Sequence, residues 1–310
     1  MSINWFPGHM NKAIREIRET LPKVDLIIEI VDARIPYSSS NPVIAKFRAN
    51  KPCLKLLSKS DLADPEMTRQ WVAHLEQQDN VKALAVTTDQ PEQIRQLGKL
   101  CKSMARADAL GNITALITGI PNVGKSTIIN ILAGRIVAKT GNEPAITKAQ
   151  QRIDLRNGLV LIDSPGILWP KIENPDSGYR LAVTGAIKET AIKNDEVGCY
   201  AAGFFLKHYP EMLKERFKLE TLPDNDIEFM EIIGRQRGCL GSGGYVDFHR
   251  IANILINEYR TATLGRITLE TPEMAMAEQA EVDRLLAEKA AEKEAKEKQR
   301  KQAYKASKPR

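Results

Sequence analysis

Gly119, Gly124, Lys125 and Ser126 stand at the spacing G-x-x-x-x-G-K-[ST] in GIPNVGKST, residues 119–127. Glycines so placed let backbone N–H groups close around phosphate oxygens, and the helix that follows aims its positive end at them. The lysine neutralises the terminal phosphates, and the serine hydroxyl is a magnesium ligand. The phosphate-contacting set is then Asn122, Val123, Gly124, Lys125, Ser126 and Thr127, with Lys125 also stabilising charge during transfer. An apolar run, TALIT, leads into the loop, and STIINILAGR, a helix former, leaves it. A further carboxylate, Asp163, ends the apolar run of LVLIDSPG (159–166). There it would hold magnesium through water, while the Gly166 amide would meet the γ-phosphate. Between the two, EPAIT (143–147) brings Thr147, whose hydroxyl is placed to complete the magnesium shell.

The residues that would read the base come earlier in the chain. LLSKSDL (56–62) follows the apolar run CLKLL and is close to the N-K-x-D pattern, with Ser58 where Asn is usual. Asp61 would accept two hydrogen bonds from the guanine edge, and the Lys59 stem would pack on the ring. Adenine presents the wrong donors there, so a buried carboxylate would be left poorly paired. Ser58 still offers a short hydroxyl. VTTD (86–89) ends a strand-like run and adds Thr87 as a further base contact. IKNDE and LPDND, after Gly166, hold similar residue types but follow no apolar strand.

These loops need a sheet to hold them. Over the first 170 residues, strand-like runs at 26–33, 53–58, 81–88 and 113–119 alternate with amphipathic helical stretches, the pattern of an α/β fold with a mostly parallel sheet. QRIDLR and GLVLID are joined by Asn157-Gly158, a hairpin signal. From about 178 to 264 helical periodicity takes over, in RLAVTGAIKETAI, GCYAAGFFLKHY, DNDIEFMEIIGRQ and DFHRIANILINEYR. The expected division is a nucleotide domain at 1–172, a small mainly α-helical domain at 173–272 and a charged tail at 273–310, exposed as a helix or disordered. Met10, Ile14, Ile17 and Leu21 fall on one face of an N-terminal helix, with Lys12, Arg15 and Arg18 off it.

The net charge of +6 belongs to the last 22 residues; residues 1–288 sum to zero. Such an arm suits nucleic-acid phosphates, or serves solubility alone. No apolar stretch approaches the ~20 residues that span a bilayer, and no leader pattern opens the chain, so a cytoplasmic, membrane-free protein is expected. Cys53, Cys101, Cys199 and Cys239 make no C-x-x-C pair and, with only four histidines, no zinc spacing.

The order base motif, phosphate loop, switch threonine, D-x-x-G resembles the circularly permuted GTPases, and specifically the ribosome biogenesis GTPase A family. The resemblance extends over WFPGHM, VDARIPYSSSNP (31–42), GIPNVGKST, DSPG, RLAVTGAIK (181–188) and GRQRGCLGSGGYVD (234–247). It implies a permuted P-loop GTPase domain, GTP/GDP with Mg2+ as ligands, and the large ribosomal subunit precursor with its rRNA as partner. It also implies a protein that is monomeric off the ribosome. Ile167 and Leu168 follow D-x-x-G where many GTPases carry a water-orienting Gln, so slow intrinsic and partner-activated hydrolysis is expected. His9 in FPGHM is a candidate for the missing group, or else packs locally or contacts RNA. Asn122 matches the asparagine that holds K+ in potassium-activated GTPases, or simply forms the turn. Arg34 is either a cis arginine or a salt-bridge partner at a strand end, and Arg235 and Arg237 either contact RNA or are structural. Two other classes stay open here. One is a P-loop ATPase or kinase; the other is a nucleotide-sensing RNA-binding protein with negligible hydrolysis.

Overall fold

A computed structural model of the chain describes residues 3, 5–109, 111–139 and 150–306. Thr147 lies outside the described residues. Six strands, β1 (Leu26–Asp32), β2 (Cys53–Ser58), β3 (Val81–Ala85), β4 (Ile113–Gly119), β5 (Gln151–Asp154) and β6 (Leu159–Asp163), form one sheet ordered β3-β2-β1-β4-β6-β5. All neighbours are parallel except β5, which runs antiparallel to β6 around the Asn157-Gly158 turn, with Gly158 at φ +82°. Strand β3 is shorter than its apolar run: it stops at Ala85, and Val86 makes one last bond to Leu57 O.

β1 is buried at every position, as a central parallel strand covered on both faces must be. Glu29, at its centre, is paired across the register with Lys55 of β2 at 2.8 Å and accepts the Asn41 N–H at 2.8 Å. The chain leaves β1 toward β2 and β3 on one side and leaves β4 toward β6 on the other. That reversal opens a crevice at the carboxyl ends of β1 and β4, where ligands of open α/β sheets bind. Both the phosphate loop, after β4, and the base motif, after β2, emerge at this end. The helix Gly8–Thr20 docks on the core through Met10, Ile14 and Ile17, followed by Leu21, the face expected from its periodicity.

Residues 175–260 are helical, but the first helix ends sooner than the periodicity of RLAVTGAIKETAI implies. It spans Pro175–Val183 and stops because Gly185 takes φ +83°. The Arg260 guanidinium then caps it, donating to the carbonyls of Ala182 (3.0 Å) and Val183 (2.8 Å). Helices Asn194–His208 and Phe248–Arg260 cross so closely that a Cβ on Gly198 would lie 2.5 Å from Ala252 Cβ. Gly198→Ala should therefore destabilise the fold by about 1–3 kcal/mol, read as a lowered melting midpoint with an unchanged denaturant slope. A clash absorbed without loss of stability would mean that the two helices are free to separate.

The chain then returns to the sheet. Glu270, fully buried, accepts the N–H groups of Tyr37 (2.7 Å) and Ser38 (3.0 Å) and pairs with Arg180, while Trp71 Nε1–H donates to its carbonyl at 3.0 Å. Residues Met1–Glu270 form one unit and Thr271–Arg310 another. The second is described through the helix Pro272–Ala306, exposed over residues 283–300 and carrying i,i+4 pairs such as Arg284–Glu288. Cys53, Cys101 and Cys239 are buried and Cys199 half-buried, all as free thiols; burial pushes Cys53 and Cys101 up to about 12.

Candidate functional site

The phosphate loop is built by local backbone need. Gly119 closes β4 against β1, where a Cβ would sit 2.6 Å from Ile30 O. Asn122 and Gly124 take positive φ, +57° and +91°, which turns the following amides inward before the helix Lys125–Ala133 begins. Val123 and Lys125 are buried, Ser126 and Thr127 half-buried. Gly166 lies across the loop: a Cβ there would be 3.1 Å from Pro121 Cα, and the next amide, Ile167, donates to Gly119 O at 3.1 Å. The D-x-x-G segment and the phosphate loop are thus in backbone contact.

Lys125 and Asp163 form a buried ion pair at the centre. Burial pushes the Asp163 carboxyl up, against the pull of Lys125. Its second oxygen, Oδ2, is buried with no hydrogen-bond partner among the described residues. An orphaned carboxylate oxygen on the partner of Lys125, with Ser126 next in sequence at the helix start, fits magnesium, which takes one or two protein oxygens and fills the rest with water and phosphate. Among the described residues no cluster of three or more His, Cys, Asp or Glu offers an all-protein metal site.

The base motif joins the same site. Ser58, buried, donates its hydroxyl to Val123 O at 2.7 Å, with Val31 O at 3.0 Å as the other acceptor in reach. Lys59 Nζ donates to Asn122 O at 2.7 Å and to Asp32 Oδ2 at 3.0 Å. Its backbone is left-handed, φ +57°, so the loop turns sharply here and carries Asp61 away half-buried. No hydrogen bond among the described residues occupies the Asp61 carboxylate. Thr87 is buried in the neighbouring loop, where its Oγ1 accepts the Asp89 N–H at 3.2 Å; Ser60 N–H meets Val86 O at 3.3 Å.

One group that the motif reading passed over organises this corner. The carboxylate of Asp32, at the end of β1, accepts from Arg34 Nε (2.9 Å), Arg34 Nη2 (2.8 Å) and Lys59, while its own N–H donates to the Ser39 hydroxyl at 2.9 Å. Burial alone would raise its carboxyl, but Arg34 and Lys59 hold it well below the usual range. Burial also pushes the Lys59 ammonium down, Asp32 opposing and Arg34 adding to the shift. Arg34 is 1% exposed, paired with Asp32 and lying over the Tyr259 ring, which fits the salt-bridge reading. The signal in the sequence was the acid–base pair of VDAR at a strand end.

Asn122 looks the other way as well: its Nδ2 donates to Gly185 O at 2.8 Å, and Gly185 rests on the Arg260 guanidinium. Ile167 and Leu168 are fully buried, so the position after D-x-x-G belongs to the core and cannot orient water. Leu168 N–H meets Met10 Sδ at 3.5 Å. The helix carrying exposed His9 therefore abuts the segment that follows Gly166. Arg235 and Arg237 are both exposed; Arg237 pairs with Glu258 at 3.0 Å and lies over the Phe217 ring, a structural tie that Arg235 lacks.

The sequence model of a family described as "50S ribosome-binding GTPase" matches residues 114–197, from the strand before the phosphate loop into the helices. Ribosome biogenesis GTPase A of Priestia megaterium is 45% identical over 285 residues, covering 89% of this chain and 99% of that protein. The protein of the same name from Thermotoga maritima is 32% identical over 271 residues, covering 87% and 95%. Among solved structures, GDP-bound YlqF matches with a TM-score of 0.62 at 29% identity, over 84% of this chain and all of that one. GNP-bound YlqF from T. maritima gives 0.60 at the same identity, over 85% and 99%.

Proposed function

This chain belongs to the ribosome biogenesis GTPase A family of GTP-hydrolysing assembly factors, and from that premise we propose that its partner is the large ribosomal subunit precursor, bound through rRNA in the cytoplasm. The observation that carries the guanine site is the bonding of Ser58 and Lys59 to the carbonyls of Val123 and Asn122. It supports LLSKSDL as one wall of a nucleotide pocket whose floor is GIPNVGKST, although the two lie apart in the chain.

The residues divide the work as follows. Asp61 accepts from the guanine edge, the Lys59 stem covers the ring, and Thr87 closes the far side of the base. The amides of the phosphate loop hold the phosphates, Lys125 neutralises them, and the Gly166 amide meets the γ-phosphate. Nucleotide entry requires Lys125 and Asp163 to exchange partners, the lysine for phosphate and the aspartate for metal-bound water. Ser126, Asp163 and Thr147 would hold magnesium, which supplies charge neutralisation across the phosphates. Asn122 is the side chain for potassium; a cation would be met by its amide oxygen, since the nitrogen donates to Gly185. With Ile167 in the core, His9 is the group proposed to orient water once the ribosomal particle is bound.

GTP and ATP turnover should be measured with and without purified large subunits, in potassium and in sodium. The expected result is GTP-only turnover, intrinsically in the range of roughly 10⁻⁴–10⁻² s⁻¹. Subunits should accelerate it at least tenfold in potassium and less in sodium, and His9→Ala should lose most of that stimulation. ATP turnover, or GTP turnover indifferent to subunits, would sink the reading.

A further inference from the structure

The nucleotide crevice occupies the carboxyl ends of the parallel strands. At their amino ends, roughly 20 Å away along a seven-residue strand, lies a second cleft of about 870 Å³ that no part of the GTPase reaction uses. Residues just before β1 and β2, the end of the N-terminal helix, and the segments 47–52 and 104–106 line it. Five of these are cations: Arg18, Lys23, Arg48, Lys51 and Arg106.

None of the five pairs with a carboxylate among the described residues. Lys51 Nζ donates to Val24 O at 2.7 Å, and Arg48 donates to the carbonyls of Lys51 and Asp79 at 3.2–3.3 Å. Arg18 lies over the Phe47 ring, 4.3 Å from its centre. Carbonyls and an aromatic face fix these groups in place without cancelling their charge. The one acid in the lining, Asp25, is committed to the Thr114 N–H at 2.9 Å. The turn that presents Arg48 and Lys51 is held with Ala49 at φ +49°, a left-handed conformation that a non-glycine residue rarely takes. Several cations elsewhere on the α/β part, Arg34, Lys55, Arg69 and Arg95 among them, are by contrast paired with acids.

We propose that this basic cleft is a docking surface for the phosphate backbone of ribosomal RNA, a contact separate from the nucleotide site and from the C-terminal helices. The inference rests on the ribosomal partner proposed above and deepens it. Positive charge spread over an open cleft follows a phosphate chain, whereas a single small anion would leave most of the five cations without a partner. The absence of an exposed aromatic platform in the cleft, where Phe47 is already covered by Arg18, favours backbone recognition over stacking on bases.

Arg18, Lys23 and Arg106 are exposed, so the triple substitution R18Q/K23Q/R106Q leaves the core untouched. Binding to intact large subunits and to protein-free large-subunit rRNA should be followed by sedimentation and filter retention across a salt series. Both affinities should fall about tenfold or more, and the slope of log K against log salt should flatten by about 2, near 0.7 for each lost phosphate contact. Unstimulated GTP turnover should not change. Wild type that binds and a triple variant with the same affinity and slope would overturn the cleft while leaving the ribosomal reading standing. Loss on intact subunits with none on protein-free rRNA would assign the cleft to a ribosomal protein and overturn the RNA class. Wild type that binds neither would overturn the ribosomal reading and this inference with it.

Discussion

Lys125→Met is expected to reduce GTP affinity by at least ~100-fold and bring turnover to background, and its effect should exceed loss of one phosphate contact. Lys125 is the partner of Asp163, and both are buried. Removing it leaves a buried carboxylate uncompensated, a change of the kind that costs about 3–5 kcal/mol when the charge is retained. Burial already pushes Asp163 up, and without Lys125 it rises further, so the site also loses the ionised form of its magnesium ligand. The pH dependence follows. A carboxyl whose folded-state pKa is raised penalises the fold once pH exceeds its unfolded value, and the penalty is complete above the folded value. The melting midpoint of the variant should therefore approach that of the parent near pH 4 and fall progressively below it toward pH 8. A constant gap across that range would show that Asp163 does not depend on Lys125. Ser126→Ala, by contrast, should weaken magnesium-dependent binding with no such pH signature.

The two loops that meet at the crevice could be picked out from residue spacing, because phosphate and base recognition demand fixed local chemistry. GIPNVGKST announces itself through its glycines, and LLSKSDL through an apolar strand feeding a lysine and an aspartate. The sheet was legible for a similar reason: β1, β2 and β4 are continuous apolar runs, as buried parallel strands must be. Long-range pairings were not legible. Nothing local marks Asp32 as the anchor of Lys59, 27 residues on, or Gly185 as the acceptor for Asn122, 63 residues away. Helix ends were misread where a tertiary group decides them. RLAVTGAIKETAI keeps a helical period through Gly185, but Arg260, from a helix far along the chain, caps the carbonyls at Val183. The role of Arg237 likewise turned on a partner, Glu258, 21 residues away, that spacing does not reveal.

Those same long-range contacts give the permuted chain order a consequence. After Gly166 the chain does not return to the sheet; it passes Leu168, held by Met10, and enters the helices through Pro175–Val183. The end of that helix sits between Asn122 of the phosphate loop and Arg260 of the last bundle helix. A change of Asn122 at the phosphate loop thus has a three-residue route to the helical bundle, through atoms already in hydrogen-bond contact. A second contact, Arg34 over Tyr259, joins the base side of the site to that same helix. Two ties to Phe248–Arg260, linked to each other through Lys59, make it the element through which nucleotide state and helical surface are expected to influence one another.

Asp61→Asn should produce the other large effect and decide the base assignment. Guanine offers N1–H and a C2 amino group, two donors side by side, and a carboxylate accepts both. A carboxamide accepts one and presents a donor to the other, leaving a mismatch at a half-buried position. GTP affinity should fall on the order of 10³-fold, about 4 kcal/mol, in line with the penalty for unpaired groups in a hydrogen-bonding pocket. Xanthine carries a carbonyl at C2, so its edge reads donor then acceptor, which the carboxamide complements. Xanthosine triphosphate should therefore bind the variant much more tightly than GTP, and the parent much more weakly. Folding stability should barely change, since no hydrogen bond among the described residues depends on the Asp61 carboxylate. Competition titrations against a fluorescent nucleotide, paired with a melting curve, measure both quantities. If GTP affinity stays within about threefold of the parent, a difference well under 1.4 kcal/mol, Asp61 does not read the base. A loss for both nucleotides with a lowered melting midpoint would instead make Asp61 a support of the loop that Ser58 and Lys59 pin to the phosphate site.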